Sequence, residues 1–286
     1  MDKQTWTNLE KKADELRGLC LQTTFDAGSG HIGGGLSVMD ILTVLYHKVM
    51  KIDLKNPNWE DRDRMVMSKG HSGIAHASVL ADLGYFDKKE LKTFNLTGSK
   101  LGIHLDSMKV PGVDASTGSL GHGLPMALGI ALGARVLGKD WMTYCILGDG
   151  ECNEGAIWEA AMAITHFKAT NLVTIVDRNK CMIDGLTEDV MALEPFADKW
   201  RAFGFDVIEV NGHDIPALCA ALEKAKAGAK GGGKPVLILA DTVKGEGVDF
   251  MAGDYRWHYG AIDDGMYKKA QESLAAYAKK RLSKIN

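Results

Sequence analysis

The sequence predicts an α/β protein with a doubly wound parallel sheet and helices on both faces, and three observations lead there. Short apolar runs recur at 65–67, 143–147, 172–176, 207–210 and 236–240; such runs suit strands buried on both sides. Helical stretches separate most of them, so the element types alternate. Each run also gives way at once to polar or glycine-rich residues, and open parallel sheets bind ligands outside the carboxyl ends of their strands. With 286 residues and neither an interdomain linker nor a repeat, residues 1–286 are expected to form a single domain.

In chain order, Thr7-x-x-Glu10 reads as a capping box. Leu9, Ala13, Leu16 and Cys20 follow at helical spacing, so the first helix is expected to run to about residue 25. After a glycine-dense turn come an apolar helix over 36–49, the strand at 65–67 and an Ala-rich helix over 72–83. Further helices are expected at about 121–138, 154–168, 194–203 and 214–229. The segment AKAGAKGGGKP at 225–235 reads as a flexible connection, and 263–282 reads as an exposed terminal helix, with 265–286 forming the C-terminal helical tail.

The 34 Lys plus Arg and 37 Asp plus Glu leave a formal charge of −3. That balance offers no clustered cationic footprint for nucleic acid. MDKQTWTNLEKK has no signal-like apolar stretch, and the apolar segments at 36–46 and 124–137 are interrupted by Asp40 and Arg135. No membrane span is expected, and the expected location is the cytoplasm. Five cysteines, odd in number and never spaced as CxxC, suggest neither a disulfide framework nor a zinc site and read as buried small hydrophobes. Glycine, at 33 of 286 residues, stands well above its usual level of about 7%.

Five strand ends carry polar signatures expected to converge on one rim. These are Ser68-Lys69-Gly70-His71, Gly148-Asp149-Gly150, Asp177-Arg178-Asn179, Asn211-Gly212-His213-Asp214 and Asp241-Thr242-Val243-Lys244-Gly245. Gly28-Ser29-Gly30-His31-Ile32-Gly33 matches the dinucleotide fingerprint in letters. It follows a helix rather than a strand, which sets an NAD-binding module aside. Gly148-Asp149-Gly150 and Asn179 carry the stronger signal: a carboxylate and an amide oxygen at neighbouring strand ends can share one Mg²⁺, which takes few protein ligands plus phosphate. Gly150 leaves its N–H open, and the helix starting near Glu154 presents an N-terminus to a phosphate.

GDGECNEG followed by DRNK, with 30 residues from Asp149 to Asn179, resembles the thiamine-diphosphate motif. Ser29-Gly30-His31, Lys69-Gly70-His71, Gly102-Ile103-His104, Thr117-Gly118-Ser119-Leu120-Gly121, Asp149-Gly150, Glu154-Gly155, Asn179 and His258 occur in the order of the diphosphate-binding domain of transketolases. The chain resembles that family over nearly its whole length. It departs from it in lacking a proline after His31, in His122 where many members carry Gln, and in Tyr259 between His258 and Gly260.

The resemblance implies a thiamine diphosphate cofactor with Mg²⁺, or another divalent cation such as Ca²⁺ or Mn²⁺, held by Asp149, Asn179 and the main-chain oxygen of Cys181. It implies cofactor contacts from His71, Gly118, Ser119, Leu120, Gly150, Lys244 and His258. Glu154 resembles a residue that links cofactor sites across a dimer. His31, His71, His104 and His258 match active-site histidines, suited to the proton traffic of moving a two-carbon ketol unit from a ketose to an aldose. His47, His76 and His166 fall in helical patterns and read as structural. In the family a glutamate from a pyrimidine-binding domain activates the cofactor, and no such domain is read here. A heteromeric transketolase is therefore implied, with a C-terminal partner subunit, sugar (phosphate) substrates and two copies of each chain. The rivals are a deoxyxylulose-phosphate synthase relative, the α subunit of a 2-oxo-acid dehydrogenase, and a cofactor-binding subunit without catalysis.

Overall fold

The computed structural model describes residues 1–230 and 232–285. Five strands form one parallel sheet: β1 (Arg64–Met67), β2 (Thr143–Gly148), β3 (Leu172–Arg178), β4 (Asp206–Asn211) and β5 (Val236–Asp241), in the order β1-β2-β3-β5-β4. Ten helices accompany it among the described residues: α1 (Lys3–Ala27), α2 (Ile32–Ser37), α3 (Met39–Val44), α4 (Gly73–Asp82), α5 (Gly123–Val136), α6 (Gly155–His166), α7 (Thr187–Val190), α8 (Phe196–Ala202), α9 (Ile215–Lys230) and α10 (Asp264–Ser283).

Side-chain alternation along the strands divides the interior into two cores. Met65, Met67, Tyr144, Ile146, Val173, Ile175 and Ile238 face the layer built by α1 to α4 and α9. Val66, Cys145, Leu147, Val176, Leu237 and Leu239 face α5, α6 and α8. The expected doubly wound arrangement therefore holds.

Several expectations are corrected. The first helix begins a turn early, because the Asp2 carboxylate caps it by accepting from Thr5 N–H at 2.8 Å, and Thr7 lies inside it. The stretch 36–49 is not one helix but α2, α3 and a π-helical turn at Leu45–Val49. The glycines of α2 each admit a different neighbour: a Cβ on Gly33 would lie 2.5 Å from the Trp257 carbonyl, and one on Gly35 would lie 3.2 Å from Cys20 Sγ. β4 is an edge strand and half-exposed, as Glu209 within it fits, whereas β5 is inserted between it and β3. α9 runs through Lys230, so the glycine-rich connection is shorter than expected; Gly231 within it lies outside the described residues.

The terminal helix is not free on the surface. It packs on α1 and carries Arg281 into a buried ionic cluster. The Asp40 carboxylate accepts from Arg17, from Arg281 Nη1 at 2.8 Å and from His213 Nδ1 at 2.8 Å, while Arg281 also pairs with Glu10. Burial raises the Asp40 pKa, but Arg17, Arg281 and His213 outweigh it and hold the group well below its usual value. Buried ion pairs add little net stability, yet removing one partner leaves charge uncompensated. Arg281→Met is thus expected to lower the unfolding free energy by about 3 kcal/mol, read from denaturant titration. A change within about 0.5 kcal/mol, as for an exposed helix position, would contradict the cluster.

Candidate active site

The loops after β1, β2, β3 and β5 meet at a cavity of about 280 Å³. It receives His71 from the β1 end, Asp149 and Gly150 from the β2 end, Asn179 and Cys181 from the β3 end, and Lys244 from the β5 end. His31 arrives at the start of α2, His104, Gly118 and Leu120 from the 101–121 segment, and His258 from a short 3₁₀ turn (Tyr255–His258). Eleven positions singled out from the sequence therefore line one space. Ser119 and Glu154 do not line it; both are exposed, with Glu154 at the N-terminal boundary of α6 and its side chain filling the space over Gly121.

The fifth loop turns elsewhere, which corrects the expectation of one rim for all five. After β4, His213 donates to Asp40 through Nδ1 and accepts the Val243 N–H at Nε2 over 2.9 Å. Both ring nitrogens are occupied, and the role is structural. His76 is likewise buried against the Tyr46 hydroxyl at 2.8 Å, and all five cysteines are free and buried.

Glycine permits the close approach of these loops. A Cβ on Gly70 would stand 2.7 Å from Thr117 Oγ1, one on Gly118 3.1 Å from the His104 ring, and one on Gly150 2.9 Å from Met182. The histidines pack as a group: His31 lies 5.2 Å from His71 and 5.3 Å from His258, and His71 stacks on His258 at 5.1 Å. Lys244 Nζ lies 3.2 Å from His258 Nδ1. Tyr259, one of the positions at which the sequence departs from the pattern it resembles, rests on His31 at 4.8 Å with its hydroxyl on Ser29 Oγ at 2.8 Å.

Burial is the main reason these rings stay neutral. It pushes His31 down to about 4, helped by His104, Lys244 and Lys69, and His258 down to about 3, helped by Lys244. His71 falls well below its ordinary value for the same reasons, and burial also lowers His104. Lys244 is pushed down to about 8 by burial and by Lys69.

Two further charged groups complete the floor. Lys69, wholly buried, donates to Asp177 and to the Gly34 carbonyl at 3.1 Å, and Asp177 also accepts from Ser37 Oγ at 2.6 Å and from Thr242. Asn179 Nδ2 donates to Ser37 Oγ at 3.3 Å, which turns the amide oxygen the other way, onto Cys181 N–H at 3.2 Å. Lys69 and Asp177 both belong to the strand-end signatures, but nothing in the sequence pairs them, because β1 and β3 are separated in the sheet by β2. Arg178, unassigned from the sequence, bridges Asp149 Oδ2 at 3.0 Å to Glu188 and Glu194.

The residues present suit a metal-bridged diphosphate. Asp149 Oδ2 is occupied by Arg178, Lys180 N–H and Thr187, whereas Oδ1 accepts, among the described residues, only Gly150 N–H at 2.8 Å and keeps a lone pair. The buried Nδ1 of His31 has no partner among the described residues. Nor, among the described residues, do three His, Cys, Asp or Glu side chains gather as a metal site; one carboxylate, one amide oxygen and a main-chain carbonyl form a set of another kind, suited to a hard cation.

Comparison with known proteins agrees with this architecture. Residues 9–282 match the family described as transketolase, thiamine diphosphate binding domain. The 6-deoxy-6-sulfo-D-fructose transketolase subunit of a Clostridium species (strain MSTE9) is 42% identical over 93% of this chain and 96% of its own length. An apulose-4-phosphate transketolase subunit from Phocaeicola vulgatus is 39% identical over 93% of this chain and 94% of its own. The crystal structure of transketolase from Campylobacter jejuni superposes with a TM-score of 0.86 at 32% identity, covering 96% of this chain and 45% of that one. The chain thus spans about half the length of that solved transketolase. Fold and site define a thiamine diphosphate-binding domain of the α/β class. The chain belongs to the transketolase family.

Because the cavity histidines are neutral, the site carries a pH signature. Their folded pKa values lie below the unfolded value of about 6.5. As pH falls through 6.5 the unfolded chain takes up protons that the native one refuses. Stability is therefore intact above about pH 6.5 and declines toward pH 4. Asp14, pushed up to about 6 by burial, acts in the opposite direction, so a variant isolates the histidine share. His258→Gln is expected to flatten the fall in Tm between pH 7 and 5, measured on the chain without added ligand; an unchanged slope would contradict a neutral, buried His258.

Proposed function

We propose that this chain is the N-terminal subunit of a split transketolase. With a C-terminal partner carrying the pyrimidine-binding domain, it transfers a two-carbon ketol unit from a ketose (phosphate) donor to an aldose (phosphate) acceptor. The observation that carries the reading is the convergence of His31, His71, His104 and His258 from separate stretches of the chain on one cavity. It is supported by relatives of nearly the same length that are themselves named transketolase subunits. We infer that assembly is heteromeric, with two copies of each chain.

Thiamine diphosphate, when bound, supplies an electron sink for cleaving and forming the carbon–carbon bond. Asp149 Oδ1, Asn179 Oδ1 and the Cys181 carbonyl would hold Mg²⁺, Ca²⁺ or Mn²⁺ against the diphosphate, with Gly118 and Gly150 admitting it through bare backbone. Lys244, a cation inside the cavity, and the rings of His71 and His258 would border the cofactor. Leu120, about a third exposed at the cavity edge, would cover its apolar rings. Ser119 and Glu154 would serve from outside the cavity, Glu154 toward a second cofactor site.

Neutral imidazoles can donate from one nitrogen and accept at the other. His31, whose Nδ1 is unpartnered among the described residues, and His104 at the cavity wall would hold protons at the hydroxyls and carbonyl of donor and acceptor sugars. His258, with Lys244 beside its Nδ1, would present its other nitrogen as a donor to a developing alkoxide. The cytoplasm is the compartment we propose, since five free buried thiols suit a reducing environment.

The reading is tested by assaying ketol transfer with the chain alone, the partner alone and the two mixed. Activity only in the mixture is expected, and full activity from this chain alone would overturn it. Asp149→Asn is expected to raise the Mg²⁺ concentration for half-maximal activity by more than about tenfold. Arg178 keeps Glu188 and Glu194 in that variant, so the fold should survive with a nearly unchanged Tm. Unchanged metal dependence would remove Asp149 from the metal site.

A further inference from the structure

The cavity floor contains a carboxylate that the reading above leaves without a role. Glu151 follows Gly148-Asp149-Gly150 directly and is almost wholly buried. Its Oε1 accepts the Ser68 hydroxyl and, at 2.9 Å, the Gly121 N–H; its Oε2 accepts the Gly148 N–H at 3.0 Å. These donors belong to three different loops: the β1 end, the 117–121 turn and the β2 end.

The three loops are also pressed together by sterics. A Cβ on Gly123 would lie 2.4 Å from Ser68 Cβ, and Gly121 sits at φ +86° with its Cβ position 2.7 Å from Glu154 Cβ. In the left-handed region and with no room for a side chain, Gly121 cannot hold its place through packing of its own. What anchors its N–H is the Glu151 carboxylate. None of the three donors is a cation, so the arrangement is a carboxylate cradled by backbone and hydroxyl donors rather than a salt bridge.

We propose that Glu151 is a positioning residue for the diphosphate cradle: by accepting from Gly148, Gly121 and Ser68 it fixes three cofactor-facing loops in one geometry before the cofactor arrives. This rests on the cavity binding thiamine diphosphate. Pre-organisation of that kind is read in affinity, because loops left loose must be ordered at binding. It touches no reacting atom, so turnover at saturating cofactor should be retained.

The test uses Glu151→Gln, which keeps the shape but can direct an amide N–H against a backbone N–H, replacing an acceptor with a donor. Two measurements are made. Hydrogen exchange on the full chain without ligand is expected to quicken at residues 68–70, 118–122 and 148–151 together. In the mixed assembly, the thiamine diphosphate concentration for half-maximal activity at saturating Mg²⁺ is expected to rise at least about tenfold, with maximal rate within about twofold. Ser68→Ala, which deletes one donor and is the gentler variant should the first fail to fold, is expected to give a roughly two- to fivefold rise.

A half-saturating concentration unchanged in both variants overturns the proposal, as does a lower Tm accompanied by a proportional loss of maximal rate, the mark of a merely structural residue. If the unsubstituted assembly shows no dependence on thiamine diphosphate, the functional reading itself falls. That outcome is distinct from a dependence that the two variants leave unmoved.

Discussion

Beneath the cavity an ammonium and a carboxylate, Lys69 and Asp177, meet with no access to water. Such a pair is tolerable only when its remaining donors and acceptors are satisfied, and here the neighbours that satisfy it are structural elements. The Gly34 carbonyl brings α2, Ser37 brings the end of that helix, and Thr242 brings the chain leaving β5. Burial alone would raise the Asp177 pKa, but Lys69 and the two hydroxyls hold it below its ordinary value. Displace either charge and the ends of β1, β3 and β5 lose their common reference. The orientation of Asn179 goes with them, because it is set through Ser37.

Electrostatically, the positive charge of the site comes from lysine and not from imidazole. Lys69 is matched by Asp177, whereas Lys244 inside the cavity is shared with a neutral ring. Two lysines and four crowded histidines could not all be charged in so small a volume, and the histidines are the ones that give way. What remains beside the matched Lys69 is one ammonium, Lys244, with the carboxylates of Asp149 and Glu151, in a lining otherwise made of uncharged groups.

Much of this is legible in the sequence, for a definite reason. The apolar strand runs and the polar residues directly after them match the structure to within a residue or two, because a parallel sheet forces both features. The cavity histidines are found through the resemblance to transketolases, whose motifs can be matched without knowledge of the fold. Three things are not legible. The break of 36–49 at Val38 into α2 and α3 has no marker in the apolar pattern, and the start of α2 is set where Trp257 and Lys244 approach Gly33, a contact between segments far apart in the chain. The insertion of β5 between β3 and β4 leaves no local trace, although Glu209 in β4 marks an edge. Arg281 looks like one more surface cation on a polar helix, and only the tertiary position of Asp40 makes it an interior one. The glycine string at 28–33, which imitates a nucleotide fingerprint, serves other ends: Gly28 caps α1 at φ +71° and Gly33 admits the Trp257 carbonyl.

Tyr259 reaches Ser29 across 230 positions of chain, and beside it Gly30 and Gly260 exchange two backbone hydrogen bonds of 3.0 and 3.1 Å. This short clasp between distant segments is what brings His258 alongside His31 and His71. Contacts that close so long a loop form late, after local structure has offset part of the chain entropy. Residues 1–241 carry all five strands but only three of the four cavity histidines. The fourth ring is delivered by the segment after Met251, which clasps the first glycine turn, so the cavity wall rests on a long-range closure that the sheet itself does not need.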